Sequence, residues 1–311
     1  MIDLLTIIVP IFGLIAVGWG AARFGLLGQR ASEGLSDYVF ALAVPALIIR
    51  SLTEGVLPPV QPWGYWAAYF GGVAVTWALA AMLFRRFLGR DATEAALFGF
   101  AASQSNTVLV GVPLILRAYG EEGAVPLFLL LAVHLPLMLG VVTLLIERTL
   151  TEATGVELLR RLGVTLITHP ILLAVMLGGA LKLMGLAPTG VVKSLVDQLA
   201  MSASPCSLVV MGLALHRHGI VGGIGAASIL SGLKLMLHPF LVWALAFHVL
   251  DVPPVWAGVA VLFAAMPVGV NSVIVAGRYR IGEDVVSSAL AVSTIAAVPT
   301  ATFWLIVLGI G

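Results

Sequence analysis

Two stretches of the sequence combine the residue types that could hold a small polar solute inside otherwise apolar chain. The first runs Ser103-Gln104-Ser105-Asn106-Thr107-Val108-Leu109-Val110-Gly111-Val112-Pro113, the second Ala264-Ala265-Met266-Pro267-Val268-Gly269-Val270-Asn271-Ser272. Each brings together a proline, a glycine and an asparagine. Proline removes a backbone donor and crowds the carbonyl one turn earlier, so helix there is interrupted and polar backbone groups are freed. Asparagine donates and accepts at once, and so serves those groups or a ligand. A helix that restarts after a break also presents a partially positive N-terminus, which favours anions. Gln104, Asn106, Thr107, Asn271 and Ser272 are therefore candidate anion-binding residues. Gly111, Pro113, Pro267 and Gly269 are the candidate break positions.

Three further polar positions stand out in apolar surroundings. His134, two residues before Pro136, could bond an anion, carry a proton, or tie two helices together. Lys234 precedes His238 by four residues, so both lie on one helix face. It could supply fixed positive charge or bond the carbonyls freed by a broken helix. Asp37 and Asp197 read as helix-end acids.

These residues need elements that hold them in an apolar medium. The chain has 311 residues, of which 60% are hydrophobic and only 10% charged. A soluble domain carries about 25% charged residues, so a soluble enzyme is excluded and a polytopic membrane protein remains. Net charge is +1, which offers no field for nucleic acid. The single cysteine, Cys206, excludes an internal disulfide and a cysteine-based zinc site. No GxxxxGK[ST], HExxH or GxSxG pattern occurs. No enzymatic activity, metal or cofactor is expected.

A membrane-crossing helix needs about 20 mostly apolar residues. Apolar runs fall at approximately 4–24, 34–53, 63–84, 92–116, 124–146, 165–186, 195–215, 222–248, 255–277 and 285–309. Segments such as Leu127–Leu131 and Leu172–Leu177 are apolar on every face, without the alternation of a barrel strand, so an all-α protein of ten spans is expected, with spans four and seven the more polar. The first run lacks a basic leader and is too long for a cleaved signal. Of the fifteen Lys and Arg residues outside span interiors, eleven lie in loops joining spans 1–2, 3–4, 5–6, 7–8 and 9–10. The positive-inside rule then places both termini outside, in the periplasm for a protein of a bacterial inner membrane.

An offset of 160 aligns Pro10 with Pro170, Asp37 with Asp197 and Pro45 with Pro205. The chain thus reads as a five-span repeat (1–148), a short cytoplasmic linker (149–164) and a second five-span repeat (165–311). An odd span number inverts the second copy. Inverted repeats with paired interrupted helices point to transport, with the site near the midplane.

The residues of the two interrupted spans also carry a family resemblance. Asn106-Thr107-Val108-Leu109-Val110-Gly111-Val112-Pro113 resembles the fourth-helix signature of the auxin efflux carrier family, which includes the plant PIN proteins. Met266-Pro267-Val268-Gly269, followed by Val273 through Tyr279, resembles that family's ninth-helix crossover. The resemblance implies a fold similar to the NhaA-type antiporters. Spans 1, 2, 6 and 7 would form a dimerising scaffold; spans 3–5 and 8–10 would form a mobile unit in which spans 4 and 9 cross. It implies that Asn106 binds a substrate carboxylate and that His134 falls at a pocket-lining position. Asn271 and Ser272 stand where the plant sequences have another proline nearby. The long central loop of the plant carriers is absent, so regulation by kinases through it is not expected. Bacterial members are often assigned to malonate or related organic acids. The expected function is a secondary transporter of a small carboxylate, auxin-like or malonate-like, working by elevator-type alternating access, with the choice of a coupling proton or sodium ion open. The alternatives are a non-transporting membrane sensor and a sodium-coupled symporter of sterol-like acids.

Overall fold

The computed structural model describes residues 4–55, 62–150 and 170–310. Most of the predicted linker, and the start of the sixth predicted span, lie outside them. Twelve helical elements follow in order among the described residues: α1 (Leu4–Arg23), α2 (Gln29–Glu54), α3 (Trp63–Phe87), α4 (Ala92–Ser103), α5 (107–119), α6 (Ala124–Leu150), α7 (Pro170–Leu183), α8 (Gly190–His218), α9 (Ile224–His248), α10 (Pro254–Ala264), α11 (Val270–Tyr279) and α12 (Glu283–Val307). No β-strand occurs among the described residues, only one isolated bridge. Seven helical runs are long and apolar enough to cross a membrane. They are α1, α2, α3, α8, α9, α12 and the run Thr107–Leu150 that joins α5 to α6. In hydrocarbon a helix satisfies its own backbone groups, which is why runs of this composition fold this way.

Prolines act here in two ways. Pro10, Pro136, Pro205 and Pro299 sit inside regular helix. Pro45, Pro113 and Pro239 each follow a wide π turn, at Val39–Ala43, Thr107–Gly111 and Leu233–Leu237. The residue before each of these prolines donates to the carbonyl five residues back: Val44 to Val39, Val112 to Thr107, His238 to Leu233. Widening the turn moves the ring away from the carbonyl it would otherwise strike. That carbonyl then needs another donor. At Pro239 it is Leu235 O, and the Trp304 indole Nε1–H donates to it at 2.9 Å.

This corrects one expectation. Gly111 and Pro113 do not break the fourth span. They lie in continuous helix of α5, and the interruption is upstream at 104–106. The wide turn absorbs Pro113, so the proline costs a local change of pitch rather than a break.

The helices pack in two groups. α1 lies on α8, and α2 lies on α7 and α8. α3 packs on α4 and α9, α4 on α6, and α9 on α10 and α12. The first group is held by backbone approach between small residues. A Cβ added at Gly212 would enter the backbone of Ile15 and Trp19, and one at Gly18 would enter that of Val209. Gly212→Leu should therefore separate α1 from α8. The expected result is a loss of monodisperse protein on size exclusion in detergent, while Gly179→Leu, where a Cβ meets open space, leaves the profile unchanged.

Candidate functional site

α4 ends at Ser103 and α10 at Ala264, and each is followed by extended chain before helix resumes. The two extended segments cross and pair. Asn106 N–H donates to Pro267 O at 2.9 Å, and Gly269 N–H donates to Gln104 O at 3.0 Å, forming an antiparallel bridge centred on Ser105 and Val268. Val268 N–H donates to Ser293 Oγ at 3.0 Å. Backbone that would be orphaned in each chain alone is satisfied by the other. The approach needs small residues. A Cβ at Gly269 would lie 2.9 Å from Gln104 Cγ and 3.2 Å from Ser105 O, and one at Gly111 would lie 3.1 Å from Met266 Cγ.

Helix resumes on both sides of the crossing, in α5 after Asn106 and in α11 after Gly269. The first-turn amides of a helix have no acceptor one full turn back; of these, Thr107 N–H donates to Ser105 O and Ser272 N–H to Gly269 O, both at 2.9 Å, and the others remain to meet a solute. Both N-termini open on one cavity of about 520 Å³, lined by Gln104, Asn106, Thr107, Gly269, Val270 and Asn271 on the crossing side. From α2 and α8 it is lined by residues that include Ser36, Asp37, Val210 and Arg217. Asn106 Nδ2 donates to Met211 Sδ at 2.9 Å. A thioether is a weak acceptor, so a carboxylate oxygen competes for that amide with ease. At the mouth Arg217 donates to Glu33 at 3.5 Å, with both side chains about half exposed. An exposed pair of this kind stabilises little.

The other predicted residues lie behind this surface. Ser272 is fully buried, does not line the cavity, and has a hydroxyl with no hydrogen-bond partner among the described residues. His134 is also fully buried and does not line it. Its Nε2 lies 2.6 Å from Gln104 Oε1 and its Nδ1 lies 3.0 Å from the Tyr69 hydroxyl. Lys234 is fully buried; it donates to Ala264 O at the end of α10, and its Nζ lies 3.3 Å from His238 Nδ1. Of the two uses open to Lys234, the geometry provides the second, a bond to a carbonyl freed by the broken helix. Pro267 lends its carbonyl to the crossing. Asp37 lines the cavity, and Asp197 joins Arg50, Glu54 and Lys193 in an ion cluster at the opposite end of α2 and α8.

Tyr69, Met211 and Ser293 also touch the crossing residues and were not legible as site residues. Each shares its helix with other polar or sulfur-bearing residues, and only long-range packing brings it to the crossing.

A second recess of about 280 Å³ lies between Arg50, Glu54 and Met201 on one side and Leu116, Gly120 and Glu121 on the other. It is at the end of α2 opposite to Glu33. Two recesses thus open at opposite ends of the seam between α2/α8 and the remaining helices.

An all-helical membrane protein with a cavity that carries polar groups under a broken-helix crossing is built to admit a solute, and comparison with known proteins agrees. The chain belongs to the membrane transport protein family, that of the auxin efflux carriers, whose model matches residues 3–305. It is 28% identical to a protein of Rhizobium meliloti named "Putative malonate transporter", over 97% of this chain and 95% of that one. It is 26% identical to an "Uncharacterized transporter" of Methanothermobacter thermautotrophicus, over 97% of each. The protein is a membrane transporter and not an enzyme.

Proposed function

We propose that the protein carries a small organic anion of the malonate-like carboxylate class by alternating access. The observation that carries this reading is the convergence of two helix N-termini and the Asn106 and Asn271 side chains on one cavity. Backbone N–H groups at such termini and an amide donor bind carboxylate. The name of the Rhizobium relative narrows the class.

The architecture proposed is ten spans in two inverted repeats, 1–148 and 165–311. Its support is the exchange between α2 and α8: the start of α2 meets the end of α8 through Glu33 and Arg217, and the start of α8 meets the end of α2 through Lys193 and Glu54. Asp37 and Asp197, 160 residues apart, sit at opposite ends of that pair. In this reading α1, α2, α7 and α8 form the fixed scaffold, which pairs with a second copy. The remaining helices move past it as an elevator, closing one recess and opening the other. In the same reading the side of the larger cavity, where arginine is in excess, is cytoplasmic and both termini are periplasmic. Moving one net charge is worth about 2.3 kcal/mol per 100 mV, so export of an anion from a negative-inside cell needs no coupled ion, whereas uptake needs a proton or sodium.

The test is current on a solid-supported membrane from proteoliposomes, with a panel of mono- and dicarboxylates, with and without sodium. Asn106→Ala removes one hydrogen bond to a charged group, about 1.5–3 kcal/mol. The half-saturating carboxylate concentration should rise by about ten- to a hundredfold. If no carboxylate gives current and none raises the unfolding temperature of the wild type, the reading fails.

A further inference from the structure

The His134 imidazole sits between the Tyr69 phenol and the Gln104 amide, and all three side chains are buried to 1% exposure or less. Around the imidazole and the phenol lies the ring of Phe263, with centroids 5.1 Å from His134 and 5.2 Å from Tyr69. The Ser105 hydroxyl also lies beside the phenol. His134 Nε2 lies 2.6 Å from the Gln104 side-chain oxygen, which can only accept. The ring therefore carries its proton on Nε2, and its bare Nδ1 accepts from the Tyr69 hydroxyl at 3.0 Å. The Gln104 NH2 is then turned away from His134, and Gln104 lines the cavity. No described group accepts a hydrogen bond from it.

We infer that Tyr69 and His134 are positioning residues that fix the direction of the Gln104 amide, so that the cavity wall at the crossing offers a hydrogen-bond donor where a freely rotating glutamine would equally offer an acceptor. The inference rests on the anion reading and deepens it. Gln104 adds its NH2 to the Asn106 NH2 and the first-turn amides of α5 and α11. A wall made of donors selects carboxylate over neutral amide or alcohol solutes, because an inward-facing carbonyl would repel the anion and welcome the neutral donor. It assigns His134 neither direct contact with the solute nor a proton to carry; the residue acts one side chain away, through Gln104.

Two measurements test this. The first is solid-state 15N spectroscopy of histidine-labelled wild type in lipid, with the His134 signal assigned by its loss in His134→Phe. A proton on Nε2 and a bare Nδ1 are expected; a bare Nε2 overturns the inference, whatever the protein transports. The second is a double-mutant cycle on malonate current. Tyr69→Phe and Gln104→Met should each raise the half-saturating malonate concentration about tenfold or more, with maximal current retained. The double variant should be no worse than Gln104→Met alone, because both remove the same donor. Fully additive losses would overturn the coupling. Wild type that gives no malonate current but carries the Nε2 proton would sink malonate as substrate and leave the orientation of Gln104 standing. Current from wild type with a bare Nε2 would do the reverse.

Discussion

Gly269→Val should abolish transport and lower the unfolding temperature of the purified protein more than substitution of any cavity-lining side chain. At this position the backbone is extended, φ −71° and ψ 140°, which valine adopts readily. The obstacle is space. A Cβ lies 2.9 Å from Gln104 Cγ and 3.2 Å from Ser105 O, and the two γ carbons of valine add to it. Relief requires the segments to part. Parting them breaks Gly269 N–H to Gln104 O and Asn106 N–H to Pro267 O. Both bonds are buried, so four backbone groups lose their partners, at about 1–3 kcal/mol for each unsatisfied group. The sum, on the order of 4 kcal/mol or more, is a large part of the 5–15 kcal/mol that holds a typical domain together. Gly269→Ala needs a shift of a few tenths of an ångström by the flexible Gln104 side chain, and should keep part of the activity. The pair is read by current in proteoliposomes and by thermal unfolding in detergent. Wild-type activity in Gly269→Val would mean that the crossing is not the fulcrum of the site.

That both helix interruptions could be located from the sequence, and that one was placed a few residues off, has a single cause. Pro267 and Gly269 lie within the break after α10, so a local rule about proline finds it. The break after α4 falls at Gln104, Ser105 and Asn106, none of which is a helix breaker of that strength. Those residues leave the helix because residues 267–269 offer them a backbone partner across more than 160 positions of chain, and no local rule contains that. Pro113 drew attention to the right span for the wrong reason, since a widened turn accommodates it. The same widened turn occurs before Pro45 and Pro239 but not at Pro10, Pro136, Pro205 or Pro299. Neighbours such as Trp304, which caps the carbonyl exposed by Pro239, help decide which kind a proline becomes.

The polar residues divide along a similar line. Asn106, Gln104, Thr107 and Asn271 could be picked out because polar side chains in hydrocarbon need partners, and they line the cavity. The same argument picked out His134, Ser272 and Lys234, which are fully buried and do not line the cavity; His134 and Lys234 meet the protein's own groups, and the Ser272 hydroxyl has no partner among the described residues. Composition reveals that a polar residue is anomalous in a span. Whether its partner is solute or protein depends on the face it occupies, and around an all-apolar helix the sequence marks no face.

Lys234→Glu should prevent accumulation of folded protein, and Lys234→Met should yield protein that folds with reduced stability. The ammonium of Lys234 is fully buried, and among the described residues no carboxylate lies within ion-pair distance of it. Its counterpart is the C-terminal end of α10, where the Ala264 carbonyl accepts from it. A helix C-terminus carries about half a negative charge, and a charge-assisted bond of this type contributes about 1.5–3 kcal/mol. Met fills a similar volume and removes the expense of burying an ammonium, which offsets part of the loss. It leaves the Ala264 carbonyl and His238 Nδ1 without the donor, so the net effect is a destabilisation of a few kcal/mol. Glu reverses the sign at the same place, setting a carboxylate against a carbonyl end with no donor to meet it, and that opposition has no local remedy. Yield, monodispersity and unfolding temperature should fall in the order wild type, Lys234→Met, Lys234→Glu. The carboxylate affinity of surviving Lys234→Met protein decides the remaining role of the charge. For scale, any unit charge held roughly 10 Å from an anion, at an effective dielectric of about 20, contributes roughly 1.7 kcal/mol. A tenfold loss of affinity would therefore mean that the lysine draws the anion in as well as holding the broken helix; unchanged affinity would confine it to the helix end.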